Sequence, residues 1–146
     1  MQVQQVMTHD VALVNPDQTL QKAARLMADL DLGALPVGQG DRLVGMITDR
    51  DIAVRGLAQG KGPKAKVRDV MTPEIKYCYA DQELDEISAN MADIQLRRLP
   101  VVDRDKRLVG ILSLCDLAAS GDPDCAIEAL SGIARPGHGH AGPNAI

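Results

Sequence analysis

The sequence predicts a mixed α/β (α+β) fold in which two tandem β-α-β-β-α repeats pack with pseudo-twofold symmetry. Three observations lead to this prediction. The chain of 146 residues matches itself at an offset of about 64 residues. Each half contains strand-length apolar stretches and one apolar stripe at helical spacing. One half alone has three short strands and two helices, which is too little to form a good core without the other half.

The duplication is visible in four pairs of short segments. The offset is 64 residues over the first three pairs and 65 over the last, because one extra residue enters the turn around Asp105. The pairs are VMT at 6–8 and 70–72, DQTL at 17–20 with DQEL at 81–84, LMADLDLGALPV at 26–37 with NMADIQLRRLPV at 90–101, and RLVG at 42–45 and 107–110.

Each repeat begins with an apolar stretch long enough for a strand, at 11–14 and at 75–79. Asp17 and Asp81 follow where the N-cap of a helix is expected. Apolar residues then recur in steps of three and four, which places them on one helix face that should be buried. These residues are Leu20, Ala23, Met27 and Leu30 in the first half, and Leu84, Ile87, Met91 and Ile94 in the second.

A hairpin and a second, shorter helix complete each repeat. The polar turns GQGD and DRDK each separate two short apolar runs, which is typical of antiparallel strand pairs. The second helix is predicted to begin near Thr48 in the first half and near Ser113 in the second. The predicted strands are 35–37 and 43–47 in the first half, and 99–102 and 108–112 in the second.

The predicted organisation has four parts, with one linker and one C-terminal segment beside the two repeats. The linker is glycine-rich and basic, so its lysines could meet a phosphate or an acidic partner, although a solvated linker explains them as well. In the C-terminal segment, Asp122 is predicted to cap a short helix with Pro123 in its first turn, and the tail is expected to be disordered. The parts are repeat 1 at 1–57, the linker at 58–66, repeat 2 at 67–120 and the C-terminal segment at 121–146.

Composition argues against several classes of function. Tyr77 and Tyr79 are the only aromatic residues, which argues against stacking recognition of single-stranded nucleic acid. The net charge of −4 predicts no general attraction to polyanions. We find neither a signal-peptide pattern nor an apolar run of the roughly 20 residues that cross a bilayer. The three cysteines lack CxxC spacing, which indicates reduced thiols. We therefore expect a cytoplasmic protein without a nucleic-acid or membrane partner.

Patterns typical of catalysis are missing. The sequence contains no GxxxxGK[ST], GxSxG or HExxH segment. His138 and His140 form an H-x-H pair that could bind a metal weakly, but only His9 lies elsewhere, so we expect no metal site. A nucleotide hydrolase using Asp51 or Asp116 is a weaker alternative, because metal ligands and a convincing base are absent. We expect no enzyme and no catalytic cofactor.

The most informative local pattern is a hydroxyl residue followed three positions later by an aspartate. LVGMITDRDIA carries it as Thr48 and Asp51, and LVGILSLCDLA carries it as Ser113 and Asp116. Each pair has the form of a capping box, which would explain it without any ligand. The same geometry suits a nucleotide, because free amides at a helix start attract phosphate and a carboxylate can accept hydrogen bonds from a ribose diol. Both interpretations stay open on the residues alone.

Two β-α-β-β-α repeats, each with an LPVV-like and an LVGhhT/SxxD-like segment, resemble a tandem pair of cystathionine β-synthase (CBS) domains, a Bateman module of the free-standing bacterial type. The resemblance covers about residues 3–118, and GMITDRDIA is also similar to the regulatory module of IMP dehydrogenases. It implies a regulatory protein that binds an adenine nucleotide (AMP, ADP or ATP), or sometimes S-adenosylmethionine, between its repeats. It also implies a homodimer and a separate, unidentified regulated protein. A structural interaction or dimerisation module with degenerate clefts is the alternative.

The resemblance also implies roles for individual residues. Thr48 and Asp51 would form the polar wall of one cleft, and Ser113 and Asp116 that of the other. In the family, this aspartate typically holds the ribose hydroxyls.

The apolar segments near Val11 and Ile75 would frame the adenine. Arg97 and Arg98, just before the LPV of repeat 2, and Arg50, inside the TxxD segment of repeat 1, would contact phosphate. Solvated surface arginines are the competing interpretation for Arg97 and Arg98. The repeats are not equivalent, since the matching positions hold Gly33, Ala34 and Cys115.

Overall fold

A computed structural model describes residues 1–73, 75–120 and 123–135 of the chain. The chain divides into two compact units, one formed by Ala12–Ile75 and the other by Met1–Val11 together with Lys76–Ile146. We call them the first-repeat unit and the second-repeat unit. Each contains a three-stranded sheet with helices, so the predicted mixed α+β fold with two repeats is confirmed. The N-terminal segment belongs to the unit that holds the second repeat.

The first-repeat unit consists of a helix, a hairpin and a short third strand. Helix α1 spans Leu20–Leu30, and strands β1 (Ala34–Gln39) and β2 (Arg42–Thr48) pair antiparallel. A π-helical segment, Asp51–Gly56, follows, and β3 (Thr72–Pro73) pairs antiparallel with β2. The core of this unit consists of Val14, Leu20, Ala23, Met27, Leu35, Val37, Ile47, Val67 and Val70.

The second-repeat unit also contains a helix, a hairpin and a short third strand, and it has one additional helix. Its elements are β4 (Cys78–Tyr79), α2 (Leu84–Ile94), β5 (Arg98–Val102), β6 (Leu108–Ser113), α3 (Leu114–Ala119) and α4 (Pro123–Ile133). Strand β4 pairs parallel with β5, and β5 pairs antiparallel with β6. Val3 and Met7 of the N-terminal segment are buried in its core. This segment therefore completes the second-repeat unit instead of the repeat to which it belongs in sequence.

The predicted helix stripes are confirmed at nearly every position. Leu20, Ala23 and Met27 of α1 are buried, as are the matching residues of α2. Leu30 is an exception, with 47% of its surface exposed, because it is the last residue of its helix. The next residue, Asp31, is left-handed with φ 55°, which ends α1 and turns the chain toward β1.

The prediction that Asp17 and Asp81 cap the first helices is wrong. Both helices begin three residues later, so the cap position of α1 is Thr19, whose Oγ1 accepts a hydrogen bond from the Lys22 amide at 3.1 Å. The carboxylate of Asp17 instead accepts from Arg68 Nη2 at 2.6 Å. That of Asp81 accepts from Arg104 Nη2, also at 2.6 Å. Charge-assisted bonds to arginine have taken the place of capping.

The first strand of each repeat is shorter than predicted. In the segment 11–14 only Val14 forms a bridge, a parallel one to Val37, and in the segment 75–79 only β4 is a strand. The predicted C-terminal helix is confirmed as α4. Asp122, its predicted cap, lies outside the described residues, as do the tail at 136–146 and its two histidines. Among the helices of the described residues, none has the length and apolar character needed to cross a bilayer.

Candidate functional site

Both hydroxyl–x–x–aspartate segments form capping boxes. The Asp51 amide donates to Thr48 Oγ1 at 2.9 Å, and the Thr48 amide donates to Asp51 Oδ2 at 3.0 Å. The pair formed by Ser113 and Asp116 repeats this geometry at 3.0 and 2.9 Å. The capping interpretation is therefore confirmed in both repeats. It uses one acceptor position of each aspartate, so a ligand would have to bind at the remaining positions.

In the first-repeat unit the second oxygen is enclosed. Asp51 is only 3% exposed, and its Oδ1 lies 3.9 Å from Arg55 Nη1. The same guanidinium nitrogen donates to Thr72 Oγ1 at 3.3 Å. Burial raises the pKa of Asp51, although hydrogen bonding to Thr48 and the charge of Arg55 act in the opposite direction. This carboxylate is thus part of an internal polar cluster.

In the second-repeat unit the equivalent carboxylate is more open. Asp116 is partly exposed, and its Oδ1 accepts a hydrogen bond from Thr8 Oγ1 at 3.1 Å. Two backbone hydrogen bonds between Thr8 and Ile111, at 2.8 and 3.0 Å, hold the threonine beside β6. This approach requires Gly110, because a Cβ there would lie 2.8 Å from the Thr8 carbonyl oxygen.

Sequence reasoning missed Thr8 and Thr72 as site residues. Each is the threonine of a VMT segment, and each lies near the aspartate turn of its unit, Thr8 directly and Thr72 through Arg55. The exact recurrence of VMT in both repeats was the available signal. Its meaning was hidden because the partner aspartates lie far away along the chain.

A cavity of about 350 Å³ in the second-repeat unit brings three predicted residues together, namely Arg97, Arg98 and Ser113. Strand register pairs Arg98 with Ser113, and the Arg97 carbonyl accepts from the Leu114 amide at 2.8 Å. The remaining lining residues are Leu114, Cys115, Leu130, Ile133 and Ala134.

The electrostatics of this cavity favour an anion. Neither the Arg97 nor the Arg98 guanidinium makes a hydrogen bond or an ion pair within the described part of the chain. Arg98 is partly buried, so its charge is less screened than that of an arginine in open water. Two unpaired guanidiniums beside the Ser113 hydroxyl can bind phosphate or carboxylate oxygens through paired N–H donors.

The corresponding region of the first-repeat unit has a different charge. Gly33 and Ala34 replace the two arginines, and the Asp49 carboxylate approaches Gly33 so closely that a Cβ there would lie 3.2 Å from its Oδ2. Arg50 is exposed, and its amide donates to Asp49 Oδ1 at 2.8 Å. An acid therefore lies where the second-repeat unit has two cations. Val11, which is partly buried, does not line the cavity.

The rest of the described chain offers little binding chemistry related to the predicted site. A second cavity of about 610 Å³ lies beside β4 and α2, and it contains no residue of the predicted site. Within the described ranges, no group of three or more histidine, cysteine or acidic side chains could hold a metal ion. No disulfide joins Cys78, Cys115 and Cys125.

The sequence model of the CBS domain matches this chain twice, at residues 3–56 and 67–120. The CBS domain-containing protein YhcV of Bacillus subtilis is 46% identical over 118 residues, which cover 81% of this chain and 84% of YhcV.

Solved structures give the same assignment of fold. A crystal structure of Hypoxic Response Protein I with two coordinated zinc ions is 39% identical, with a TM-score of 0.74, and the match covers 82% of this chain and 98% of that one. The structure of the Arabidopsis thaliana protein CBSX2 in complex with AMP is 26% identical, with a TM-score of 0.71. The match covers 82% of this chain and 94% of that one. The CBS pair of MJ0100 in complex with 5-methylthioadenosine and S-adenosylmethionine is 25% identical, with a TM-score of 0.73. The match covers 85% of this chain and 98% of that one.

Proposed function

This chain belongs to the CBS-domain family, and we propose that it is a regulatory module whose second-repeat unit binds an adenine nucleotide of the AMP, ADP or ATP class. AMP in CBSX2 and adenosine-type ligands in MJ0100 support a ligand that contains adenosine. The observation that carries the choice of a nucleotide is the cavity that Arg97 and Arg98 line without a partner in the described chain.

In this proposal Arg97 and Arg98 bind the phosphate oxygens, and the Ser113 hydroxyl completes the anion site. A guanidinium can donate two parallel hydrogen bonds to one phosphate, which makes arginine better suited to this role than lysine. The two arginines favour a nucleotide phosphate over S-adenosylmethionine, because the sulfonium and ammonium cations of that ligand outnumber its single carboxylate and leave it with a net positive charge.

Asp116 is the proposed acceptor for the ribose hydroxyls. Its two oxygens offer about four acceptor positions, of which the Ser113 amide and the Thr8 hydroxyl occupy two. A ribose diol can therefore bind without breaking the capping box. Thr8 is a positioning residue in this scheme, since it orients Oδ1 from the neighbouring strand segment.

Thr48, Arg50 and Asp51 form the proposed second site, which we expect to bind more weakly. Asp51 is buried beside Arg55, so a ribose would have to displace an internal contact. Asp49 would repel the phosphates that Arg50 attracts. The roles of Val11 and Ile75 in framing adenine stay predictions from the family resemblance.

No residue is assigned a catalytic role. A homodimer, a separate regulated protein and a cytoplasmic location stay predictions. A ligand can regulate such an assembly only by binding one of its conformations better than another. The competing proposal is an interaction or dimerisation module whose sites no longer bind nucleotide.

Thermal unfolding of the full chain with AMP, ADP, ATP and S-adenosylmethionine tests the proposal. A nucleotide that binds only the native state at 100 times its Kd stabilises it by about 2.7 kcal/mol, which raises the midpoint of unfolding. We expect a rise with at least one nucleotide and a smaller one with S-adenosylmethionine. If no nucleotide at millimolar concentration moves the midpoint, the nucleotide proposal fails and the interaction module is favoured.

A further inference from the structure

Helix α4 lies outside both segments that match the CBS domain, yet its last turn lines the cavity that contains Arg97 and Arg98. We propose that α4 is a wall of the nucleotide site, and that docking of this helix and occupancy of the site stabilise each other. This inference rests on the proposed function.

The position of α4 is determined by a close contact with α2. A Cβ added at Gly132 would lie 2.4 Å from the Cα, Cβ and carbonyl oxygen of Ala92, so the two helix backbones touch at this point. Cys125 and Ala129, on the same side of α4, are buried in the core of the unit. Because even one methyl group at Gly132 has no room, α4 cannot stay docked in this place without the glycine.

Gln95 joins the end of α4 to the segment that carries the two arginines. It is 6% exposed, has a left-handed backbone with φ 57°, and ends α2. Its Nε2 donates to the Gly132 carbonyl at 2.8 Å and to the Arg135 carbonyl at 3.2 Å. The last carbonyls of a helix lack partners inside the helix and carry partial negative charge. The Gln95 amide therefore binds the Gly132 carbonyl in the last turn of α4, which also accepts from the Arg135 amide at 3.3 Å, and the Arg135 carbonyl just beyond the helix.

In this proposal the Gln95 hydrogen bonds help to keep the arginines available to a ligand. Arg97 and Arg98 follow Gln95 by two and three residues and line a cavity together with the end of α4. Without an amide donor, the carbonyls at the end of the helix would attract these cations. Gln95 supplies neutral donors instead, so α4 stays docked while both guanidiniums keep their hydrogen-bonding capacity for an anion.

The first repeat lacks both the glutamine cap and the covering helix. Asp31 occupies the position of Gln95, and its carboxylate has no N–H to donate. Ala28, at the position of Ala92, is exposed in α1 and so is not covered by a second helix. The helix contact, the amide cap and the paired arginines therefore occur together in the second-repeat unit only. This coincidence supports a shared role.

The coupling follows from thermodynamic linkage. A ligand in the cavity contacts the side chains of Leu130 and Ile133, which are present only while α4 is docked. It therefore binds the docked state more tightly, and by reciprocity it stabilises that state. Leu130 is 52% exposed without a ligand, so additional burial against a ligand is available.

Two variants of the full chain, Gly132→Ala and Gln95→Met, test this inference with ATP as the probe, beside one control variant. Gly132→Ala introduces the methyl group that collides with Ala92, and Gly62→Ala is the matched control because a Cβ at Gly62 meets nothing within 4 Å. We expect Gly132→Ala to weaken ATP binding about tenfold, as for one lost favourable contact, and Gly62→Ala to leave it unchanged. Gln95→Met keeps the side-chain length and removes the amide donors, so it should also weaken ATP binding. This second variant keeps the test decisive if Gly132→Ala fails to fold.

Hydrogen exchange of the wild-type chain and of the variants measures whether α4 is docked, which affinity alone does not show. ATP should slow exchange of the amides in α4, and Gly132→Ala and Gln95→Met should speed it, while exchange in α1 and β2 of the first-repeat unit stays near the wild-type rate. If wild-type chain binds ATP, but the variants bind it equally well and ATP leaves α4 exchange unchanged, the inference is overturned and the proposed function stands. If the wild-type chain binds no nucleotide, both fail.

Discussion

The hydroxyl of Thr8 donates to the carboxylate of Asp116 at 3.1 Å, although the two residues are 108 positions apart in the chain. The matching threonine of the other unit, Thr72, accepts from Arg55 instead, and this arginine lies 3.9 Å from Asp51. Two aspartates with the same local motif therefore have different surroundings. One carboxylate stays partly open, and the other is enclosed with a cation.

The two aspartates are expected to differ in their effect on nucleotide binding. Asp116→Asn should weaken binding about tenfold or more, since a lost hydrogen bond to a charged group is worth about 1.5–3 kcal/mol. Asp51→Asn should have a smaller effect, because its carboxylate is buried. Calorimetric titration of both variants with ATP measures the difference. A larger loss in Asp51→Asn would move the principal site to the first-repeat unit.

The two cavity arginines should contribute to phosphate binding specifically. Arg98→Ala and Arg97→Ala are each expected to weaken ATP binding by about 1.5–3 kcal/mol, as for a charge-assisted hydrogen bond. Binding of adenosine, which has no phosphate, should change little. Arg25→Ala, which removes an exposed arginine of α1 outside both proposed sites, is the matched control and should leave ATP binding unchanged. Equal losses for ATP and adenosine would show that the arginines support the fold instead of the phosphates.

Asp51 should make the stability of the protein fall as the pH rises. Burial raises its pKa above the ordinary value of 3.8, so between 3.8 and the raised value the native state keeps a proton that the unfolded chain has released. The free energy of unfolding of the wild type, minus that of Asp51→Asn, should therefore decrease across this pH range. Urea unfolding at a series of pH values measures this difference.

Asp81→Asn is the control with the opposite sign. The Arg104 guanidinium lowers the pKa of Asp81, so its contribution to stability is present above the ordinary value of 3.8 and is lost as the pH falls below it. The corresponding difference should increase with pH. A difference for Asp51→Asn that also increases with pH would contradict the account of its burial.

The three thiols should react at different rates, and one of them should respond to ATP. Cys115 is exposed and lines the cavity, whereas Cys78 is buried, which raises the pKa of its thiol to about 12. A thiol reagent should therefore modify Cys115 first, and ATP at ten times its Kd should slow this reaction about tenfold. Cys115→Ser identifies the rapid phase. Modification of Cys115 at the same rate with bound ATP would argue against a ligand in this cavity.

The sequence by itself determined the duplication, the order of helices and strands, and both capping boxes. These features depend on residues close together in the chain: steps of three and four define a helix face, and a hydroxyl three positions before an aspartate defines the turn. Even the local prediction failed at Asp17 and Asp81, because both helices begin three residues later and the two carboxylates bind arginines from other segments.

Only the tertiary structure decided which segment completes each unit, which aspartate stays accessible, and which helix covers the arginine cavity. Met1–Val11 packs with the second repeat, and Gln95 meets the end of α4. These contacts join residues that no periodicity relates, because they depend on the path of the chain and on close approaches at Gly110 and Gly132. The burial of a site and the charges around it depend on such distant neighbours. Two aspartates with the same local motif therefore differ in exposure and in the groups that they contact.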